Sequence, residues 1–426
     1  MENNIDYGGF CTYLYQNKLN MLSEEMDIIE FLYNQRVYMY GKQFKVNSED
    51  FISKYAENVK NILREIYCYK TFFQGKRTIE NSAMKILSSA YFGVNNLLNE
   101  LHYETVDGPW RVHGNRNFLN DPLYIHKYYS FIRELNGLSF QNLISEKGRD
   151  IILNMLDETR KMLIKHRFAA VIANSTHTLS NRLPLRAAAL EKIPTFVFLH
   201  GLPTADYDDE PDKTDYLIVW SEKIKENYVK YSKFTESKIF VSGHPNFKKQ
   251  EINKLKFTFD NILVIAPSTS DSWNIDRGNM ILYLMLLEDV LKGLGVKKVR
   301  FRPHPHENPH WYLKFVDKSF FIVDSRPVNY ALDDSTCVIG TPSTVLLEAL
   351  NKGINYVVFN PKSDNGRDIY NRFSLIPFDG SDNFLPIADS TQELKHILTD
   401  KIAVDTRFLD EYIQTPFDIS FIKKLI

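Results

Sequence analysis

The run VIGTPSTVLLEALNKGINYVVFNP, residues 338–361, decides the fold class. Its first and last segments are short, apolar and β-branched, the composition of strands buried on both faces. Between them VLLEALNKG repeats apolar residues at helical spacing and stops at Gly353, a residue suited to the end of a helix. Strand, helix and strand in that order make a parallel βαβ unit, so the surrounding sequence is expected to be α/β.

The same texture extends toward the N-terminus. SFFIVDS, KKVRFRPHP and NILVIAPSTS read as strands, with a helix from about Met280 to Lys292. The polar, lysine-rich NFKKQEINKLKF (246–257) reads as a link. Before it, RFAAVIAN, PTFVFLHG, DYLIVWSE and KIFVSGHP alternate with the helix-like LPLRAAALEK and a helix over Lys223 to Tyr231. From residue 1 to about 165, stretches such as MLSEEMDIIEFLYNQRVY, SEDFISKYAENVKNILREIY and SAMKILSSAYFGVNNLLNEL carry helical periodicity. The expected organisation is a mostly helical region over 1–165, a Rossmann-like domain over 166–250, a second over 258–400, and C-terminal helices over 401–426. Two such domains face each other across a cleft, and open α/β sheets hold ligands at the carboxyl ends of their strands.

Bulk composition narrows the function classes. At 426 residues the chain exceeds what one core supports, and 44% apolar with 25% charged residues is that of a soluble globular protein. A net charge of −1 argues against a protein that coats nucleic acid. Cys11, Cys68 and Cys337 are scattered, which supports neither a disulfide framework nor a zinc ribbon. The start MENNIDYGGF lacks the basic and apolar regions of a signal peptide, and no apolar run reaches membrane-spanning length, so a cytoplasmic location is expected. The terminal DISFIKKLI can lie on a lipid surface or pack as a last helix.

Residues suited to chemistry fall just after strands. In FRPHPHENPHW (301–311), Pro303 and Pro305 fix φ on either side of His304. His304 is then placed to donate to a phosphate oxygen, with Arg302 or Arg300 adding a charged contact. A metal reading of the H-x-H spacing lacks a completing ligand set, and a solvated loop is the bland alternative. In TPST (341–344), Thr341, Ser343 and Thr344 precede a helix starting at about Ser343 or Thr344. That is ordinary N-cap composition, and it is an anion site if it faces the cleft. Glu348, one turn on, reaches back toward a ribose or base hydroxyl, or else forms a salt bridge or stays exposed. Ser268, Thr269 and Ser270 offer hydroxyls after NILVIAP. In the first domain, His200 and Gly201 end an apolar strand before an acidic loop. His200, or a carboxylate among Asp206, Asp208, Asp209 and Glu210, is the candidate general base. His244 and Pro245, in VSGHPNF, read as a capped turn where the chain leaves that domain.

The order of these pieces resembles the GT-B glycosyltransferases, and more narrowly the bacterial surface-polysaccharide transferases using CMP- or CDP-linked donors. These include the capsule-type Kdo and sialic acid transferases and the CDP-glycerol glycerophosphotransferases. RPHP (302–305) is similar to their His-Pro motif for donor phosphate and cytidine, and TPST (341–344) to their Ser/Thr phosphate motif. HG (200–201) looks like the His-Gly of the polyol-phosphate transferases, in which the histidine is a proposed base. The sialic acid enzymes use a paired acid followed by glycine, and DDEP (208–211) has the acids without the glycine. The resemblance implies a metal-independent enzyme without a cofactor that moves a sugar from a nucleotide-sugar donor, of CMP type, to a glycan or glycolipid acceptor in capsule or lipopolysaccharide synthesis. Arg302, His304, Pro305, Ser268, Thr269, Thr341, Ser343, Thr344 and Glu348 would hold the donor. His200 or an acid of 208–210 would act on the acceptor, or attack the anomeric carbon in a retaining variant. Peripheral association with the inner membrane fits that role, and nucleic acid does not. A CDP-polyol phosphotransferase, a nucleotide-sugar epimerase and a non-catalytic subunit of a capsule-assembly complex are the alternatives.

Overall fold

The computed structural model describes residues 59, 61–69, 84–90, 94–110, 117–138, 146–176, 179–203, 213–247, 252, 254–266, 277–303, 312–363, 366–368, 374–413 and 416–426. Two six-stranded sheets organise them, and every strand pair in both is parallel.

The first sheet contains β1 (Met84–Ser88), β2 (Tyr103–Val106), β3 (Phe168–Ala173), β4 (Thr195–Phe198), β5 (Tyr216–Val219) and β6 (Ile239–Val241), in the order β2-β1-β3-β4-β5-β6. Helix α1 (Val94–Glu100) joins β1 to β2, α2 (Pro122–Gly137) and α3 (Glu146–His166) precede β3, α4 (Leu179–Leu190) joins β3 to β4, and α5 (Glu222–Tyr231) joins β5 to β6. The second sheet contains β7 (Ile262–Ile265), β8 (Val299–Arg302), β9 (Phe321–Val323), β10 (Cys337–Gly340), β11 (Tyr356–Phe359) and β12 (Ile387–Ala388), in the order β12-β11-β10-β7-β8-β9. Its helices are α6 (Arg277–Gly293), α7 (Val328–Asp333), α8 (Val345–Asn351), α9 (Thr391–Asp400) and α10 (Arg407–Tyr412).

Strand periodicity accounts for the layering. In β7, Ile262 and Val264 enter one core while Leu263 and Ile265 enter another, and β10 and β11 alternate in the same way. Sheets covered on both faces need apolar residues at every strand position, which is why these runs read as unbroken apolar sequence. In the first sheet Val171, Ala173 and Val197 face α2 to α5, while Ala170, Ile172, Phe196 and Ile218 pack with Val94 and Leu98 of α1 and with Ile419 and Ile422 near the C-terminus. The chain thus returns to the first sheet after completing the second. Asp418 N donates to Ser242 O at 2.8 Å, and Phe421 stacks on Phe240 with ring centres 5.0 Å apart.

The two Rossmann-like α/β units match the expectation, with one correction. SAMKILSSAYFGVNNLLNEL, read as a single helix, is β1 followed by α1, and β2 lies beyond it, so the first sheet draws two strands from the region expected to be helical. A short apolar run such as MKILS has no periodicity that separates a buried strand from a buried helix. The helical stretch over 61–69 holds a second surprise. Asn61, Glu65 and Cys68 are buried, while Ile62, Leu63 and Ile66 are exposed. Glu65 is drawn inward by Arg133 at 2.5 Å, His126 at 3.0 Å and Tyr69 at 3.1 Å. No helix among the described residues is long and apolar enough to cross a membrane.

Candidate functional site at the facing strand ends

Each sheet reverses its winding once, and crevices open outside the carboxyl ends of the strands at that point. In the first sheet the reversal lies between β1 and β3, and in the second between β7 and β10. The residues following β3 and β10 are therefore the ones to inspect.

After β10 the chain makes the TPST turn. Gly340 is required there, because a Cβ on it would lie 2.2 Å from the Tyr356 hydroxyl. That hydroxyl donates to Thr341 O at 2.8 Å and sets the path of the turn, and Thr341 itself is buried. Ser343 caps the turn, with Oγ accepting from Val345 N at 3.2 Å. Thr344, expected as a helix cap, makes no side-chain cap bond and already has helical backbone angles. Its Oγ1 instead accepts from the backbone N–H of Leu202, 3.1 Å away in the first unit. A Cβ on Gly201 would lie 3.0 Å from the same oxygen, a tight contact that a glycine at 201 avoids. Helix α8 is only seven residues long, and the weight of any anion contact moves from its dipole to side chains.

The neighbouring His200 is exposed, and its Nδ1 lies 2.9 Å from Asn174 O, the first residue after β3. A carbonyl only accepts, so Nδ1 carries the hydrogen and the neutral ring presents Nε2 as an acceptor. Asn174 belongs to a buried network at the first sheet's reversal point. Ser89 Oγ donates to Asn181 Oδ1 at 2.8 Å, and Asn181 Nδ2 donates to Asn174 Oδ1 at 2.9 Å and to Ser175 Oγ at 3.1 Å. The indole of Trp220 braces the loop from the other side, donating to Leu199 O at 3.2 Å. His244 packs edge-on against that indole, and its Nδ1 accepts from Asn246 N at 3.1 Å, the capped turn read from the sequence. Burial holds its imidazole down to about 3, well below the usual histidine range.

On β8 the two arginines separate into different roles. Arg300 is consumed, with Nε on Asn261 Oδ1 at 2.7 Å, one terminal nitrogen on Asp324 and Ala331 O at 2.8 and 2.9 Å, and the other on Ser335 at 2.6 Å. Of the pair named from the sequence, Arg300 is structural. Arg302, at the strand's end, makes one 3.3 Å contact to Pro303 O, and its buried Nε has no partner among the described residues. Glu348 faces the same region. Burial raises its carboxyl above the usual range, against the pull of Arg302 and Lys352.

The structure therefore brings His200, Gly201 and Thr344 together across the units, and Arg302 near Glu348. His304, Pro305, Ser268, Thr269, Asp206, Asp208, Asp209 and Glu210 lie outside the described residues. Asn174, Asn181 and Ser89 were missed from the sequence. For Asn174 the signal was present in IANST (172–176), small polar residues directly after a strand, the same pattern that singled out TPST.

No protein-family model and no curated protein matches the chain. Among solved structures it is similar to UDP-GlcNAc 2-epimerase from Neisseria meningitidis bound to UDP-GlcNAc, at 14% identity and a TM-score of 0.47, covering 80% of this chain and 98% of that one. It is also similar to the H444N variant of the wall teichoic acid polymerase TagF, at 14% identity and a TM-score of 0.43, covering 88% and 95%. For MurG of Acinetobacter baumannii the values are 12% and 0.43, covering 75% and 90%. The fold assignment rests on the strand order and pairing described above.

Proposed function

We propose that the chain is a transferase of bacterial surface-polymer synthesis that holds a cytidine-nucleotide-activated donor at the carboxyl edge of the second sheet and passes its activated group to a hydroxyl held by the first. The observation that carries the proposal is the contact between Leu202 N and Thr344 Oγ1, 3.1 Å, which joins the loop after β4, two residues beyond an imidazole held by Asn174 O, to the hydroxyl-bearing turn of the other unit. In this reading His200 Nε2 takes the proton from the acceptor hydroxyl as its oxygen attacks. Arg302, with donors to spare, neutralises charge on the departing phosphate, and Ser343 supplies a further polar contact. Glu348 receives a ribose or base hydroxyl. None of these steps uses a metal.

Two donors satisfy this chemistry. A CMP-linked sugar of Kdo or sialic acid type would lose CMP as the acceptor oxygen bonds to the anomeric carbon, placing the enzyme in capsule or lipopolysaccharide synthesis at the inner face of the membrane. A CDP-polyol would also lose CMP, as the acceptor oxygen bonds to phosphorus. The pinned His200 favours the second, because the resemblance assigns a histidine base to the polyol-phosphate transferases and an acid to the sialic acid enzymes.

The test is to incubate the purified chain with CMP- and CDP-linked donors and a glycan or glycolipid acceptor, following CMP release and the phosphorus NMR of the product. A new phosphodiester identifies polyol-phosphate transfer, and a sugar product without one identifies glycosyl transfer. Conversion of a UDP-sugar to its epimer without acceptor, or no turnover of any donor, would refute the proposal.

A further inference from the structure

The opposite edge of the second sheet, before the amino ends of β7 and β10, is also concave. A cavity of about 890 Å³ opens there between two stretches of chain. In the first wall burial alternates. Lys254, Lys256 and Thr258 are exposed, and Leu255 and Phe257 are buried. Extended backbone therefore presents the two lysines on one side, about 7 Å apart at two residues' rise. The second wall carries Lys401, Ala403 and Thr406 above the buried Val404.

One residue fixes both walls. Asn355 is fully buried; its backbone N donates to Lys256 O at 2.9 Å, and its side-chain Oδ1 accepts from Val404 N at 2.8 Å. Its Nδ2 has no partner among the described residues. Lys256 N also donates to Gly353 O at 2.8 Å, and Thr258 N to Thr336 O at 3.2 Å, so the first wall is locked onto the sheet.

Charge decides what the cavity suits. None of the three lysines has a carboxylate partner among the described residues, and of the neighbouring acids Asp400 lies 2.9 Å from His396 instead. Asp405 is held by Arg407 at 2.5 Å, and Asp260 accepts from the Thr258 hydroxyl at 2.7 Å. Three ammonium groups with no carboxylate partner among the described residues, set around one hollow, outnumber the single carboxylate of Asp260 beside it and give it positive potential, and Leu255, Phe257 and Val404 give it an apolar floor. The matching ligand carries several negative charges on one small group with an organic portion attached.

We propose that this cavity binds phosphate esters, borne by a soluble molecule or by a lipid headgroup, independently of the site at the opposite edge. The test uses the full chain with Arg302→Ala, so that the charged anion contact proposed for the carboxyl edge is removed whatever the fate of the transferase reading. Calorimetric titration with pyrophosphate at low salt should show saturable uptake by this chain. Adding Lys256→Ala and Lys401→Ala should weaken uptake by about tenfold or more, with an unchanged melting temperature because both side chains are exposed. Co-sedimentation with phosphatidylglycerol vesicles against phosphatidylcholine vesicles identifies the source. Binding to the former that the lysine changes abolish assigns a lipid headgroup, and pyrophosphate uptake without vesicle binding assigns a soluble ester. Absence of saturable uptake in both assays, or uptake indifferent to the lysine changes, would overturn the proposal.

Discussion

The two reversal points of this molecule are built in opposite ways. At the first, Ser89, Asn174, Ser175 and Asn181 are buried and bonded to one another, and the imidazole of His200 is exposed beside them. At the second, Arg302 keeps a nitrogen with no partner among the described residues, Ser343 and Thr344 are half-buried, and Glu348 holds a carboxyl that burial has made less acidic. A closed polar network fixes geometry, because each member left without its partner would cost roughly 1–3 kcal/mol. Open donors fix nothing until a ligand arrives. In the proposed function the closed side is the one that positions a proton acceptor and the open side the one that receives charge.

Breaking that division at its sharpest point gives the largest effect. His200→Ala should lower donor turnover by about 10²–10⁴-fold with little change in melting temperature, since the side chain is exposed. Unchanged turnover would move the base to the acidic loop. Arg302→Ala should follow, with a loss on the order of 10²-fold and loss of the thermal stabilisation that CMP is expected to confer on the unaltered chain. Stabilisation that survives would remove Arg302 from the donor site.

The closed side is sharpened by Asn181→Leu, which strips the shared amide from Ser89, Asn174 and Ser175. Unfolding free energy should drop by about 1–3 kcal/mol in denaturant titration, and turnover should fall as well because Asn174 O holds His200. A stability loss with full turnover would show that the network does not position the imidazole. His244 adds a pH signature to the same unit. Its imidazole is held down to about 3 in the folded chain, so between that value and the ordinary histidine range the unfolded chain binds the extra proton. Stability therefore falls as pH drops through that window, by about 2 kcal/mol at pH 5 relative to neutral. His244→Phe should flatten this part of the profile, and an unaltered slope would assign it to other groups.

Much of this contrast could be read from the chain alone. Apolar runs ending in small polar or basic residues located the strand ends, and TPST, HG and the end of β8 all fall where the parallel sheets place their crevices. What stayed hidden depends on partners distant in sequence. Arg300 and Arg302 are equivalent as letters, and only Asn261, Asp324 and Ser335, folded beside one of them, make it structural. Thr344 has the composition of a cap, yet its hydroxyl serves Leu202, 142 residues away. The stretch over 61–69 inverts the usual pattern, with Ile62, Leu63 and Ile66 exposed while Glu65 is buried against Arg133, a partner 68 residues away.

The return of residues 416–426 to the first sheet has a consequence for biosynthesis. One face of that sheet stays uncovered by Ile419, Ile422 and Phe421 until the whole of the second unit has been translated. A chain emerging from the ribosome therefore carries an incomplete first half for most of its synthesis, with apolar surface open to chaperones until the closing stretch arrives.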